Sequence, residues 1–172
     1  MCRELRQLKI GGWLLMAMVL VAAADTRAQN PLTASTTAHF AVTAQTKLAV
    51  SAAILTFPNS DPDTVPMIQA SEGGVPITAS ARNSGTNQVI LSVVASDDLL
   101  SGVNRINISQ LRWTGSGPGF VDGTMSKTTA QTAGLWTTSG SYSGTMTFAL
   151  VNSWTYAVGT YGTTLTYTLS TP

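Results

Sequence analysis

The sequence predicts an all-β protein, a sandwich of about eight or nine short antiparallel strands. Threonine and serine are abundant among scattered Val, Ile and aromatic residues, and β-branched side chains suit the pleated surface of a sheet. Apolar and polar residues alternate along several short runs, which is typical of strands with one buried face. Clusters of Gly, Pro, Asn and Asp separate these runs at the spacing expected of a sandwich.

Individual strands are predicted from runs in which every second residue is apolar. The clearest run lies near the C-terminus, where Tyr161, Thr163, Leu165, Tyr167 and Leu169 share one face. The other predicted strands, in chain order, contain Phe40, Val42 and Ala44; Leu48, Val50, Ala52 and Ile54; Val75, Ile77 and Ala79; Val89, Leu91 and Val93; and Met146, Phe148 and Leu150.

Two local irregularities are also predicted. Ile106 and Ile108 share a face, whereas Leu111 and Trp113 have the opposite parity, so the phase must shift between the two pairs. A β-bulge near Ser109 and Gln110 would absorb this one-residue slip. The triplet at residues 72–74, Glu-Gly-Gly, is predicted to be a turn between strands.

The first 28 residues have the layout of a secretory signal peptide. Basic residues come first, then the uncharged, mostly apolar stretch 10–21, then small residues that permit cleavage after Ala24 or Ala28. The apolar stretch is shorter than the roughly 20 residues that a membrane-spanning helix needs. We therefore expect a signal peptide at 1–28, a flexible leader at 29–38 and a sandwich domain at 39–172, with no membrane span after cleavage.

Composition excludes several function classes. Nine Lys and Arg residues against eight Asp and Glu residues give a formal net charge of +1. That balance argues against a nucleic-acid partner, which would require a basic surface. The single cysteine, Cys2, falls within the predicted signal peptide. The exported domain is therefore expected to have neither disulfides nor thiol chemistry.

The residues that could support catalysis or metal binding are few. His39 is the only histidine, so a hydrolase triad has little support. The carboxylates of the exported chain fall in predicted turns without forming an evident pair, namely Asp61, Asp63, Glu72, Asp97, Asp98 and Asp122. We therefore predict no enzyme activity, no cofactor and no metal site.

The turn at residues 59–63 has an alternative interpretation as a calcium site. Asn59, Asp61 and Asp63 occupy alternate positions, as the first ligands of a calcium loop do. Thr64 and Ala70 stand where that loop requires a glycine and a bidentate acid, so a Pro-bracketed turn is the preferred interpretation. A calcium site of another type is the alternative.

Aromatic residues offer a candidate binding site for sugars. A tryptophan in a sandwich usually fills the core. Trp136 and Trp154 lie next to predicted turns, so they are the candidates for exposure and for stacking on sugar rings.

The C-terminal run from Gly159 to Leu169 resembles the closing strand of bacterial surface β-sandwich proteins, both pilin-like or spore-coat-U-like subunits and cell-wall-binding WxL domains. The ending from Tyr167 to Pro172 resembles the last WxL motif, with Tyr167 in the position of that family's tryptophan. The resemblance covers about a dozen residues. It implies an immunoglobulin-like fold at the cell surface and no catalysis.

Two hypotheses of function follow. In the first, the protein is a non-catalytic structural or adhesive surface protein in the periplasm, at the cell surface or outside the cell. It would assemble with itself or with other surface subunits through edge strands, and residues 30–44 are the candidate donated strand. In the second, it is a secreted module that binds surface polysaccharide or cell wall through Trp136 and Trp154.

Overall fold

A computed structural model of the protein describes residues 36–52, 54–85 and 87–172. Within these ranges the chain forms strands and one short 3₁₀ turn at Ile108–Gln110, without any α-helix, so the prediction of an all-β fold is confirmed. The strands are β1 (Gln45–Val50), β2 (Met67–Arg82), β3 (Val89–Ala95), β4 (Leu99–Ser101), β5 (Asn104–Ile106), β6 (Leu111–Ser116), β7 (Gly123–Thr124), β8 (Gln131–Trp136), β9 (Gly140–Val151) and β10 (Leu165–Ser170).

The predicted signal peptide at 1–28 and most of the predicted leader lie outside the described residues. Within the described ranges, no helix has the length and apolarity that a membrane crossing requires.

Antiparallel pairing joins the strands into two main sheets and a hairpin. The larger sheet has five strands in the order β1-β2-β9-β6-β7, and the smaller has three in the order β10-β3-β8. Strands β4 and β5 form a separate two-stranded sheet.

Each main sheet buries one face, and β2, β3 and β9 alternate as the sequence predicts. Val75, Ile77 and Ala79 of β2 are buried in one core cluster with Val89 and Leu91 of β3. Met146, Phe148 and Leu150 of β9 join the same cluster, whereas the residues between them are more exposed. Removal of these apolar faces from water is the main force that holds the two sheets together. The arrangement is sandwich-like.

The strand predicted at Phe40, Val42 and Ala44 is absent, which corrects the sequence analysis. Residues 36–44 have no regular structure, and Phe40 and Val42 are 87% and 61% exposed. The ladder of β1 with β2 starts at Gln45, which pairs with the last residue of β2, Arg82. Residues before Gln45 therefore extend beyond the end of the strand that would have paired with them.

The predicted turn at residues 72–74 is instead a bulge within β2. The register of β2 against β9 shifts between Gln69 and Gly74, and the strand continues on both sides. Gly73 has φ of 68°, a conformation that glycine adopts without strain. At Gly74 an added Cβ would lie 2.2 Å from Cγ2 of Thr145, so a larger residue would collide with β9.

The phase shift between Ile108 and Leu111 is real, but the 3₁₀ turn absorbs it rather than the predicted bulge. The Asn107 side chain accepts the N–H of Ser109 and thereby caps the turn. Because three residues of a tighter helix reorient the chain, Ile106, Ile108 and Leu111 all reach the core. The apolar pattern thus predicted the phase change but not the structure that produces it.

One lateral side of the fold is closed by a strap, residues 117–121, that joins the two sheets. The strap leaves β6 and adds to the edge of β8, where Val121 N–H donates to the Ala133 carbonyl at 3.1 Å and Leu135 N–H to the Gly119 carbonyl at 2.8 Å. Phe120 packs edge-on against Trp136, with ring centroids 5.2 Å apart. We call this the closed side, and the side between β1 and β10 the open side.

Candidate functional site: a groove beside the free edge of β10

Strand β10 is the outermost strand of the smaller sheet, and in the described part of the chain it pairs only with β3. The Ser96 N–H donates to the Thr164 carbonyl at 2.9 Å, which fixes the phase of this ladder. Because backbone groups of an antiparallel strand point alternately to its two neighbours, those of Leu165, Tyr167 and Leu169 point away from β3. They form a free strand edge.

The side chains of the same three residues turn toward the core but are only half-buried. Leu165, Tyr167 and Leu169 pack against the buried cluster, whereas Thr164, Thr166 and Thr168 face solvent. Desolvation by burial raises the pKa of the Tyr167 hydroxyl to about 12, so the group stays neutral at physiological pH.

A groove of about 400 Å³ runs along the open side, with residues 52 and 54–57 on one wall and residues 161–167 on the other. Its lining combines apolar side chains with a substantial polar surface that includes Thr163 and Thr164, and Ile54 at its rim is 74% exposed. The larger lining side chains are Ile54, Leu55, Phe57, Tyr161, Leu165 and Tyr167. A groove of this size and composition next to unpaired backbone groups can accept an apolar extended segment.

The bulge in β2 holds one wall of this groove in place. The Glu72 carboxylate accepts the Thr56 N–H at 2.8 Å, and the Thr56 carbonyl accepts the Ser71 N–H at 2.8 Å. The hydrogen bond from Thr56 lowers the pKa of Glu72 because it stabilises the charged form. The Glu-Gly-Gly triplet therefore has a structural role that its interpretation as a turn did not include.

A cluster of ion pairs holds the beginning of the groove's other wall, residues 161–167, in place. Lys127 Nζ lies 2.8 Å from Asp97 Oδ1 and 2.8 Å from Asp98 Oδ2. Asp98 is buried and also accepts the Ile108 N–H at 3.1 Å. The Thr163 hydroxyl donates to the Asp97 carbonyl at 2.9 Å and so ties the cluster to the segment that leads into β10.

The same cluster shifts the pKa values of its members. The hydrogen bond from Lys127 is the main cause that lowers the pKa of both Asp97 and Asp98, and these carboxylates in turn raise the pKa of Lys127. Both aspartates lie where the sequence predicts a turn, whereas Lys127 is not among the residues that the sequence singles out. Its contacts with them join residues about thirty positions apart, and no local pattern predicts such a pairing.

The two candidate sugar-binding tryptophans have different environments. Trp136 is buried, which corrects the expectation that it is exposed. Its ring stacks on Tyr142 at a centroid distance of 4.5 Å, and its Nε1–H donates to the Pro118 carbonyl at 2.7 Å. Trp154 is 69% exposed, and its Nε1–H donates to Asp63 at 3.0 Å. The structure therefore does not bring the two rings together on one surface.

The carboxylates of the Asn59, Asp61 and Asp63 turn accept hydrogen bonds from the turn itself and from Trp154. Asp61 Oδ1 accepts the Asp63 N–H at 2.9 Å, and Asp63 Oδ1 accepts the Trp154 indole N–H. The Asn152 side-chain amide holds the turn in place by donating to the Ser60 carbonyl at 3.0 Å. In the described ranges, His, Cys, Asp and Glu form no group of three that could hold a metal ion. His39 is exposed in the irregular segment.

Neither a protein-family model nor a curated protein sequence matches this chain. The described fold and groove define the class: an all-β, sandwich-like domain with one closed side and, on the other side, a free edge of β10 beside a groove.

Proposed function

We propose that the protein is a non-catalytic structural or adhesive protein, exported to the cell surface, the periplasm or the medium, that assembles by strand addition. The observation that carries this proposal is the free edge of β10 beside the groove. Unpaired backbone groups bind an extended segment through main-chain hydrogen bonds, and the groove takes alternate side chains of that segment. The predicted signal peptide at 1–28 supplies the route of export.

An immunoglobulin-like topology is part of the proposal. The order β1-β2-β9-β6 corresponds to strands A, B, E and D of that fold, and β3 and β10 correspond to C and F. Strand G would lie beside β10, where the described chain has no strand. Strand β8 departs from the pattern, because it lies beside β3 but follows β6 in the sequence.

The proposed added strand is the segment at residues 38–44 of a second copy. Phe40, Val42 and Ala44 alternate with polar or small residues, so one face of an extended segment would be apolar. Phe40 and Val42 are exposed and lie outside any strand, so this apolar surface is available for a neighbour. Burial of two large apolar side chains would favour association by about 3–6 kcal/mol before the entropy cost.

Light scattering tests the proposal directly. Residues 29–172 should form a concentration-dependent series of oligomers, and the same chain lacking residues 30–44 should be a folded monomer. Phe40→Ser should weaken assembly, whereas Val103→Ser, which removes an equally exposed side chain from the β4–β5 turn, should not. A synthetic peptide of residues 36–46 should compete with assembly. A monomer at every concentration for the chain 29–172 would contradict the proposal.

The second candidate function is carbohydrate binding through Trp154. Its exposed ring is held by the bond to Asp63, and a fixed aromatic face is suited to stacking on a sugar. Added polysaccharide should shift tryptophan fluorescence in the native protein and in Trp136→Phe, but not in Trp154→Ala. The absence of any response across a broad glycan panel would reject this candidate.

A further inference from the structure

The outer face of the five-stranded sheet carries a second cavity, remote from the edge of β10. It is a shallow hollow of about 500 Å³ over strands β2, β9, β6 and β7. The strand register explains its shape. Gln69, Ala149, Arg112 and Thr124 occupy directly paired positions on the four strands and form one row across the sheet. The small Ala149 is the floor, and the longer Gln69 and Arg112 stand on either side of it.

The next row deepens the hollow. Gly74, Thr147 and Thr114 are paired in the same way on β2, β9 and β6. The bulge places Gly74 there, and any larger residue would collide with Thr145. Two successive rows thus combine small floor residues with flanking groups that can donate or accept hydrogen bonds. This is a built depression rather than a flat sheet face.

Arg112 is the cationic group of the hollow, whose lining also contains the carboxylate of Asp122. Arg105 and Lys127 form ion pairs with Asp98, whereas the Arg112 guanidinium forms no ion pair or side-chain hydrogen bond with any described residue. A guanidinium group binds a carboxylate through two parallel N–H···O bonds. An unpaired guanidinium at the wall of a cavity is therefore suited to an anionic ligand.

The other polar groups indicate what the rest of the ligand must be. Asp122 lies at the rim with its Oδ1 fixed by the Gly115 N–H at 2.8 Å, so its carboxylate is held in place as an acceptor. The Gln69 amide and the hydroxyls of Thr114 and Thr124 can both donate and accept. A ligand with several hydroxyl groups around one carboxylate would satisfy this set.

We propose that this hollow binds an acidic saccharide, with the carboxylate of a uronic acid on Arg112 and its hydroxyl groups on Asp122 and Gln69. The site is independent of strand addition at β10 and of stacking on Trp154, because it uses neither surface.

Calorimetric titration of the chain 29–172 with trigalacturonate tests the proposal, with maltotriose as a neutral probe of similar size. Trigalacturonate should bind and maltotriose should bind at least tenfold more weakly. Arg112→Gln should weaken trigalacturonate binding at least tenfold, since it removes the bidentate contact. Arg82→Gln is the matched control, because it removes the same charge from an exposed position outside the hollow.

A second variant separates a filled site from a misfolded protein. Ala149→Met should fill the floor from the solvent side and abolish binding, while thermal unfolding shows that the fold is retained. The proposal is overturned if trigalacturonate does not bind, if Arg112→Gln and Arg82→Gln weaken binding equally, or if maltotriose binds as tightly as the acidic probe.

Discussion

The closed and open sides of this protein have similar strand patterns but differ in whether the outermost strand is paired along its second edge. On the closed side, the strap at 117–121 pairs with the edge of β8, and Phe120, Trp136 and Tyr142 pack ring against ring. On the open side, β10 presents an unpaired edge, and its apolar row remains half-buried. The difference arises from the path of the chain, because a segment returns to pair with the edge of β8, whereas none in the described ranges pairs with the second edge of β10.

The largest expected effect comes from breaking the closed side. Trp136→Ala removes the stack on Tyr142, the contact with Phe120 and the bond to the Pro118 carbonyl, and should cost about 3–5 kcal/mol of unfolding free energy. Leu165→Ala on the half-buried face of β10 should cost about 1–2 kcal/mol. Urea denaturation followed by circular dichroism measures both. Equal costs would show that the two sides do not differ in packing.

Acid should lower the local stability of the open side more than that of the closed side. The folded-state pKa values of Asp97 and Asp98 are lowered, so their stabilising contribution is complete above the unfolded value of about 4. It is lost as pH falls below that value through the folded pKa. Hydrogen-exchange protection of Leu100 and Gly162 should therefore fall between pH 6 and pH 3 more than that of Val121 and Leu135.

Lys127→Met is the control for this pH dependence. Without the Lys127 ammonium group, the main cause of the lowered aspartate pKa values is gone, and the difference between pH 6 and pH 3 should shrink. An unchanged pH dependence in the variant would show that other groups carry it.

A smaller effect is expected from Tyr167 at alkaline pH. Burial raises its folded-state pKa to about 12, above the unfolded value of about 10. Its stabilising contribution is therefore complete below pH 10 and is lost as pH rises toward 12. Absorbance at 295 nm should show a tyrosinate titrating near pH 12 that is missing in Tyr167→Phe. A Tyr167 that ionises near pH 10 would mean that the groove is wetter than its burial indicates.

The smallest effect is expected at Trp154. Because its ring is mostly exposed, Trp154→Ala should change the unfolding free energy by less than about 1 kcal/mol. The same urea experiment provides the measurement, and a cost near that of Trp136→Ala would show that Trp154 is part of the core.

Strands were predictable where one face is buried and the pairing neighbour is long. The alternation in β2, β3 and β9 predicted Ile77, Leu91 and Phe148 as core residues, and all three are buried. The alternation at Phe40 and Val42 is equally regular, yet it forms no strand because β2 ends at Arg82. Alternation shows that a segment can pair, whereas the extent of the neighbouring strand decides whether it does.

The candidate site was less predictable than the fold. The run from Tyr161 to Leu169 indicated an amphipathic strand, but not that its second edge is free. The prediction that Trp136 is exposed was wrong. Although Trp136 lies beside a turn, the strap that carries Phe120 packs against it. The hollow around Arg112 depends on the register of four strands, which local sequence does not specify.

The all-β class and the core faces of β2, β3 and β9 could be predicted from the sequence, because both depend on the local alternation of side chains along each strand. The three-dimensional structure was needed to show which edges are paired, that the Glu-Gly-Gly triplet is a bulge, and that Lys127 joins Asp97 and Asp98. These features depend on contacts between residues far apart in the chain. Their free energy comes from packing and pairing after the sheets have met, which no local pattern encodes.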